Sequence, residues 1–173
     1  MEKLIIIRGP SGAGKTTVAR TIKDRSDRPT VLVEQDQFRL NFNDQSNRSS
    51  LPAWQMIETC TIIGLEHGFD VVLEGILNVK KPERRQMYDR LFESHPEENY
   101  VFYMDVSFPE TVRRHDTRPD KKAQFSAEQM LEWYDMASPM EHARETVVPE
   151  SSTFEETVSL IGKVAGLKLE GNT

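Results

Sequence analysis

Leu4–Arg20 reads LIIIRGPSGAGKTTVAR, and its reading decides the fold. Leu4 to Ile7 is a short apolar run, the pattern of a strand covered on both faces. A turn holding Gly9, Gly12 and Gly14 follows, then Lys15, Thr16 and Thr17. From Thr16 to Arg25 apolar and polar residues alternate at helical spacing. Gly9 to Thr16 spells G-x-x-x-x-G-K-T. Glycines at that spacing let the backbone curl, so that successive amide hydrogens converge on phosphate oxygens. Lys15 adds a point charge for the outer phosphates. The Thr16 hydroxyl suits magnesium, and the helix that follows presents its positive end. A random chain of this length shows the pattern with odds of about one in a hundred or less. The flanking strand and helix are the context the motif requires. A nucleoside triphosphate is therefore the expected ligand, held by Gly9, Ser11, Gly12, Ala13, Gly14, Lys15, Thr16 and Thr17.

Downstream, apolar runs and amphipathic stretches keep alternating. Strands are expected at Thr30–Glu34, Asp70–Glu74, Tyr100–Val106 and Thr146–Val148. Helices are expected at Trp54–His67, Pro82–Ser94, Pro109–Thr117, Ser126–Met136 and Phe154–Ala165. Pro82 suits a first helical position, and Ser126 with Gln129 forms a capping-box pattern. The tail LEGNT, from Leu169, is expected to fray. Such alternation predicts parallel pairing, with crossover helices covering both sheet faces. The expected architecture is α/β: a five-stranded, mainly parallel sheet in a three-layer α/β/α sandwich, spanning 1–173 as one domain. Two polar, unperiodic stretches, Asn41–Pro52 and Thr117–Phe125, read as surface loops suited to binding or closure.

The 173 residues carry a net charge of −6, with a pI near 5.3. That acidity argues against a broad nucleic-acid surface and leaves room only for a local basic groove or a nucleic-acid end. The single cysteine, Cys60, excludes an internal disulfide and reads as a small buried apolar residue. No apolar run approaches the ~18 residues that span a bilayer, and the N-terminus lacks a leader pattern. A cytoplasmic location is the expectation. The four histidines, His67, His95, His115 and His142, are scattered without metal-ligand spacing and receive no role.

A guanine-reading Asn-Lys-x-Asp is missing, as is an apolar strand ending in Asp-Glu. What remains points to a phosphotransferase, which also needs an acceptor-side base, an acceptor platform and an arginine lid. The second strand runs into EQDQFR, placing Asp36 just past the carboxyl edge of the sheet, where open α/β folds bind ligands. Asp36 there can take the proton of an attacking hydroxyl; the competing reading is a helix N-cap. If the segment turns helically, Arg39 shares a face with Asp36 and can hold an acceptor anion; otherwise it is a solvated side chain. Arg114 and Arg118, four apart in RRHDTR, are candidates to close over the transferring phosphates. The alternative is a basic surface paired with Glu110 and Asp116. The lid spans approximately 114–128; Arg113 is a weaker candidate, and Lys121 and Lys122 read as a solvated loop tip. Glu74, at the end of the third strand, can contact acceptor hydroxyls or a magnesium-bound water, or be tied to backbone amides. Trp54 reads as core rather than stacking platform. Arg39 and Arg48 near the acceptor-side loop hint at an anionic or polyhydroxylated partner.

Taken together, GPSGAGKTT, DQFR, VVLEG and RRHDTR resemble the small P-loop kinase superfamily. Asp36 to Arg39 resembles the D-x-x-R of 5′-hydroxyl polynucleotide kinases, where the aspartate is the base and the arginine holds a phosphate. Glu74-Gly75 resembles the zeta-toxin kinases, and chloramphenicol phosphotransferase shares the frame. SGAGKTTVAR with DQFRLNFN is similar to adenylylsulfate kinase, although the FISP-type segment is missing; so is the gluconate-kinase PLxDxDRxPW stretch. The resemblance implies ATP and Mg2+, with Lys15, Asp36 and Arg118 catalytic, Arg114 at the nucleotide, Asp36, Arg39 and Glu74 at a hydroxyl acceptor, and Thr16 at the metal. A nucleotide-binding regulatory module with slow hydrolysis is the rival. The acceptor and the oligomeric state stay open.

Overall fold

The computed structural model describes residues 1–42, 50–95, 97–117, 125–140 and 145–171. In chain order the elements are β1 (Leu4–Arg8), α1 (Lys15–Arg25), β2 (Thr30–Glu34), α2 (Gln35–Leu40), α3 (Ser50–Glu66) and β3 (Asp70–Gly75). There follow α4 (Pro82–Ser94), β4 (Asn99–Asp105), α5 (Phe108–Asp116), α6 (Ala127–Tyr134), β5 (Glu145–Pro149) and α7 (Phe154–Ala165). The strands form one parallel sheet in the order β2-β3-β1-β4-β5. This is the three-layer α/β/α P-loop arrangement that the alternation implies.

β1 sits at the centre, and every one of its five residues is buried. Because side chains alternate along a strand, it feeds two cores at once. Leu4 and Ile6 join α3 and α4 residues such as Ile57, Leu65, Met87 and Leu91. Ile5 and Ile7 join α1 and α7 through Val18, Ile22, Val158 and Ile161. Each fully buried isoleucine contributes roughly 1.5–3 kcal/mol relative to exposure.

Expected and observed elements agree to within about two residues, with four instructive differences. α2 follows β2 without a break, settling the conditional reading of the EQDQFR segment. α3 starts at Ser50, inside the stretch expected as loop. Pro52 lies in its first turn, where a missing N–H breaks no helical hydrogen bond. Residues 43–49 of that stretch, Arg48 among them, lie outside the described residues. The tail is held rather than frayed as far as Gly171: Leu169 bridges Ser26, and the Glu170 N–H donates to the Arg25 carbonyl at 2.6 Å. Leu169 also packs against the core, so apolar burial overrides the small-residue composition. Finally, β1 extends to Arg8, a charged residue with no exposed surface. Its guanidinium donates to the carbonyls of Ser138 (2.7 Å) and Leu77 (3.1 Å) and to Glu145 (3.1 Å).

The capping box of α6 forms as the pattern implies. Trp54 is a core residue, its ring covered by the Arg84 guanidinium at 4.1 Å. Cys60 is half-buried and packs against the same core. Among the described residues no helix is long and apolar enough to cross a membrane.

Ile6→Ala opens a cavity at the sheet centre and should lower unfolding free energy by about 2–5 kcal/mol. Urea denaturation reads this directly, and a loss under about 1 kcal/mol would place the residue outside a close-packed core.

Candidate functional site

The register of three strands brings the chemistry to one edge. β1 and β3 pair Arg8 with Gly75, and β2 and β3 pair Glu34 with Glu74. The glycine loop, α2 and the end of β3 therefore leave the sheet side by side. A cleft of about 550 Å³ opens there, lined by Ser11, Gly12, Gly14, Lys15, Thr16 and Thr17. Its other walls include Asp36, Arg39, Glu74, Arg114, His115, Phe125, Gln129 and Trp133.

α1 begins at Lys15 without a side-chain cap and with no acidic residue in its first turn. Its first amide N–H groups are left for an anion, as the helix dipole favours. α6 and α7, by contrast, close their starts with capping boxes. Gly12 has φ +83, and a Cβ there would stand 2.8 Å from the Thr111 carbonyl oxygen. Only glycine fits that turn. Gly9 and Ala13 do not line the cleft. Gly9 packs against Met104 of β4, and buried Ala13 offers its carbonyl to the Arg114 guanidinium at 3.1 Å. Both shape the loop from behind.

Lys15 is buried, and its ammonium donates to the Pro10 carbonyl at 2.8 Å. Burial lowers its pKa, while the charges of Glu74 and Asp36 oppose the fall. The Thr16 hydroxyl donates to Glu74 Oε1 at 3.0 Å. Glu74 is itself buried, which pushes its pKa above the ordinary carboxyl value; Lys15 and Thr16 hold it back in part. Glu74 thus accepts from a side-chain hydroxyl, where backbone amides were the competing reading.

Asp36 lies in the first turn of α2, whose N-cap is Glu34. It is exposed to the cleft and makes no cap, which removes the N-cap reading. Two contacts fix its helix. Glu34 takes a bidentate pair from Arg20 of α1, at 2.6 and 3.1 Å, and a further bond from Gln37. The Gln35 carboxamide accepts from the Leu77 N–H at 3.0 Å. Gln35 crosses Gly75 so closely that a Cβ there would lie 2.6 Å from its own Cβ. The glycine after Glu74 is thus the space into which α2 is seated.

On the opposite flank Arg114 of α5 reaches Ala13 while pairing with Glu110 at 2.6 Å. Arg113 and Arg114 both hydrogen-bond Glu110 and hold its carboxyl down to about 2. The basic-surface reading and the cleft reading of Arg114 therefore coexist. Arg118, Lys121 and Lys122 lie outside the described residues, as does His142.

Sequence reasoning missed one wall of the cleft. Trp133 of α6 meets Phe125 edge-on at 5.1 Å, and Phe125 stacks on His115 at 4.7 Å. Arg39 lies over the Trp133 ring at 5.8 Å. These residues come from α2, α5, the segment before α6 and α6 itself, so no local spacing signals the wall.

The family model described as "AAA domain" matches residues 4–152. The chain belongs to the AAA domain family. Its fold is that of the small P-loop kinases. The solved structure of APE1195 superposes with a TM-score of 0.75 at 23% identity, covering 95% of this chain and 96% of that one. The Mycobacterium tuberculosis APS kinase CysC, solved with AMPPNP and APS, gives 0.70 at 14%, covering 95% and 98%. A gluconokinase from Sinorhizobium meliloti 1021 gives 0.68 at 18%, covering 95% and 91%. At these identities the likeness is one of fold. No curated protein matches the sequence.

Gly12→Ala should weaken binding of a non-hydrolysable ATP analogue at least about tenfold, the loss of roughly one loop contact, with the circular dichroism spectrum unchanged. Wild-type affinity by calorimetry would mean that the loop does not cradle phosphate. Glu74 yields a pH signature. Its folded pKa exceeds the ordinary value of 4.5, so above pH 4.5 the native state holds more proton than the unfolded chain. Unfolding free energy therefore falls as pH rises through that folded value. Glu74→Gln removes this component. The variant should gain stability relative to wild type between pH 4 and pH 7 in urea titrations, and a flat or reversed difference would contradict the burial argument.

Proposed function

We propose that this chain is an ATP-dependent kinase that transfers the γ-phosphoryl group to a hydroxyl. One observation supports this reading above others: Asp36 and Arg39 open onto the same cleft as Lys15 and Thr16. A nucleotide switch has no use for an acceptor-side carboxylate facing its phosphate loop, whereas a phosphotransferase acting on a hydroxyl gains from one as general base.

The donor's phosphates lie along the loop amides and the start of α1, with Ser11, Gly12, Gly14 and Thr17 around them and Gly9 and Ala13 supporting the turn. Lys15 turns from the Pro10 carbonyl to the outer phosphates. Arg114 closes the donor side, and Arg118 joins it from a lid at about 114–128. Asp36 accepts the proton of the acceptor hydroxyl as its oxygen bonds to the γ-phosphorus. The bond from that phosphorus to the β,γ-bridging oxygen breaks, and ADP leaves. Arg39 and Glu74 hold the acceptor, Arg39 by its charge and Glu74 by hydrogen bonding. The protein contributes little covalent chemistry, so the rate comes from positioning and charge neutralisation.

The residues present fit magnesium: the Thr16 hydroxyl and the Glu74 carboxylate are adjacent hard oxygen donors, 3.0 Å apart, beside the phosphate loop. When bound there, the ion neutralises phosphate charge. In this reading residues 1–173 work as a single kinase domain in the cytoplasm, with a small-molecule or nucleotide acceptor favoured over a nucleic-acid end by the net charge of −6.

Label from γ-labelled ATP should appear in an organic product when nucleosides, 5′-hydroxyl oligonucleotides, sugars and aminoglycosides are offered. Asp36→Asn should cut that transfer by about 100-fold or more while leaving affinity for an ATP analogue within about twofold. Label found solely in inorganic phosphate would reject the kinase reading, whereas undiminished transfer by the variant would remove Asp36 from the role of base.

A further inference from the structure

The aromatic wall of the cleft has no part in phosphoryl transfer as described above, yet it is built as a fixed surface. Trp133 is half-buried and reaches the cleft from α6. Phe125 braces it edge-on, at 5.1 Å and 64°. Phe125 is in turn stacked on His115 at 4.7 Å and 24°, and His115 is buried, with Nε2 3.2 Å from the Phe125 carbonyl. Three rings locked in series lose little freedom when a ligand packs on the last of them.

We infer that the phosphoryl acceptor carries a planar heteroaromatic ring, of the nucleoside class, which stacks on Trp133 beneath Arg39. The inference rests on the kinase reading above and deepens it. Three observations carry it. First, the Arg39 guanidinium already lies over the Trp133 face at 5.8 Å, near the outer limit of about 6 Å for a cation–π contact. A ring held between two planar groups needs about 7 Å, twice the ~3.5 Å contact distance. Arg39 is exposed on a long side chain, so a rise of about 1 Å opens the slot and leaves the ring sandwiched. Second, the slot belongs to the acceptor side. Arg39 is three residues from Asp36 on α2, hence on the same face, while the donor side is marked by Arg114 at Ala13. Third, Gln129 is one turn before Trp133 on α6 and also lines the cleft. Its carboxamide oxygen accepts from the Ser126 N–H at 3.0 Å. Its NH2 group is a donor that can meet an acceptor atom on a ring edge.

A polyol acceptor lacks the flat π-face that makes such a slot worth building. Base–aromatic stacking is worth about ten- to a hundredfold in affinity.

The test uses the full chain saturated with a non-hydrolysable ATP analogue and Mg2+, so that the donor site is filled. Adenosine, guanosine, cytidine, uridine and their monophosphates are then titrated, with gluconate and an aminoglycoside in parallel. At least one nucleoside or nucleotide should bind by calorimetry and quench tryptophan fluorescence saturably. Trp133→Leu should weaken that binding about tenfold or more, and Trp133→Phe, which keeps a ring, by under about threefold. Unaltered affinity of both variants for the ATP analogue confirms that they are folded. No nucleoside binding to the loaded protein, or equal binding by Trp133→Leu, overturns the inference. So does label transfer to a polyol that Trp133→Leu performs as well as wild type, an outcome that leaves the kinase reading standing. Nucleoside binding and quenching with label released only as inorganic phosphate does the reverse: the stacking site stands and the kinase reading falls.

Discussion

A buried ammonium organises this molecule. Lys15 is removed from solvent at the start of α1, and burial alone drives such a group toward neutrality. Two acidic groups act against that tendency, Glu74 first and Asp36 second, and the Pro10 carbonyl accepts one of its protons. Glu74 is under the opposite pressure, since burial favours its neutral form and Lys15 favours its charge. Each of the pair favours the charged form of the other, against the larger effect of burial. Neither charge is matched by tight direct pairing, so the arrangement suits a third, more highly charged occupant. In the proposed reading, a triphosphate would supply what the lysine lacks, and a cation beside Thr16 what the glutamate lacks.

That balance depends on register. A slip of one residue between β1 and β3 would carry Glu74 to the other sheet face, because side chains alternate with period two. The pairing of Ile7 with Glu74 and Arg8 with Gly75 prevents it, and the apolar runs above those residues enforce it from both cores. Gly75 then admits Gln35, which ties the Leu77 N–H to the start of α2. Through these contacts the position of Asp36 is inherited from the sheet rather than from a mobile loop. Arg8 works beneath the same floor. Its guanidinium joins Leu77 to Ser138 and Glu145, and its Nε has no hydrogen-bond partner among the described residues. An unmatched donor at that depth costs free energy, which marks the strut as a position where geometry outweighs polar satisfaction.

How much of this could be read from the chain follows from the range of each interaction. The strands and most helices were legible because burial periodicity is local, and the phosphate loop because its eight residues act as a unit. Pro82 and the Ser126–Gln129 pair marked helix starts for the same reason. α2 was legible only conditionally, since six residues hold under two turns of periodicity. The start of α3 was hidden by polar composition, and the held tail by contacts with Arg25 and Ser26, more than 140 residues away. Arg8 gave no signal at all: a lone arginine after an apolar run looks like a strand end, and its partners lie 69 to 137 residues distant. His115 looked idle for a related reason, because its value lies in the ring it supports.

The two halves of the cleft are consequently encoded differently. The glycine loop comes from one continuous stretch, Gly9 to Thr17, whose geometry is dictated by backbone sterics and a helix end, with Arg114 of α5 reaching it at Ala13. Any chain that keeps this stretch and the strand beneath it keeps the nucleotide cradle. The other walls of the cleft come from α2, the end of β3, α5, Phe125 and α6, and meet only in the folded state. Exchanging a ring or a charge there alters what is bound without disturbing the cradle, since those side chains border the cleft rather than the central sheet. Such an arrangement lets one fold serve proteins as different as an APS kinase and a gluconokinase. If the proposed kinase reading holds, discrimination between acceptors falls to side chains such as Arg39 and Trp133, which meet across the cleft, rather than to the loop that makes the fold recognisable.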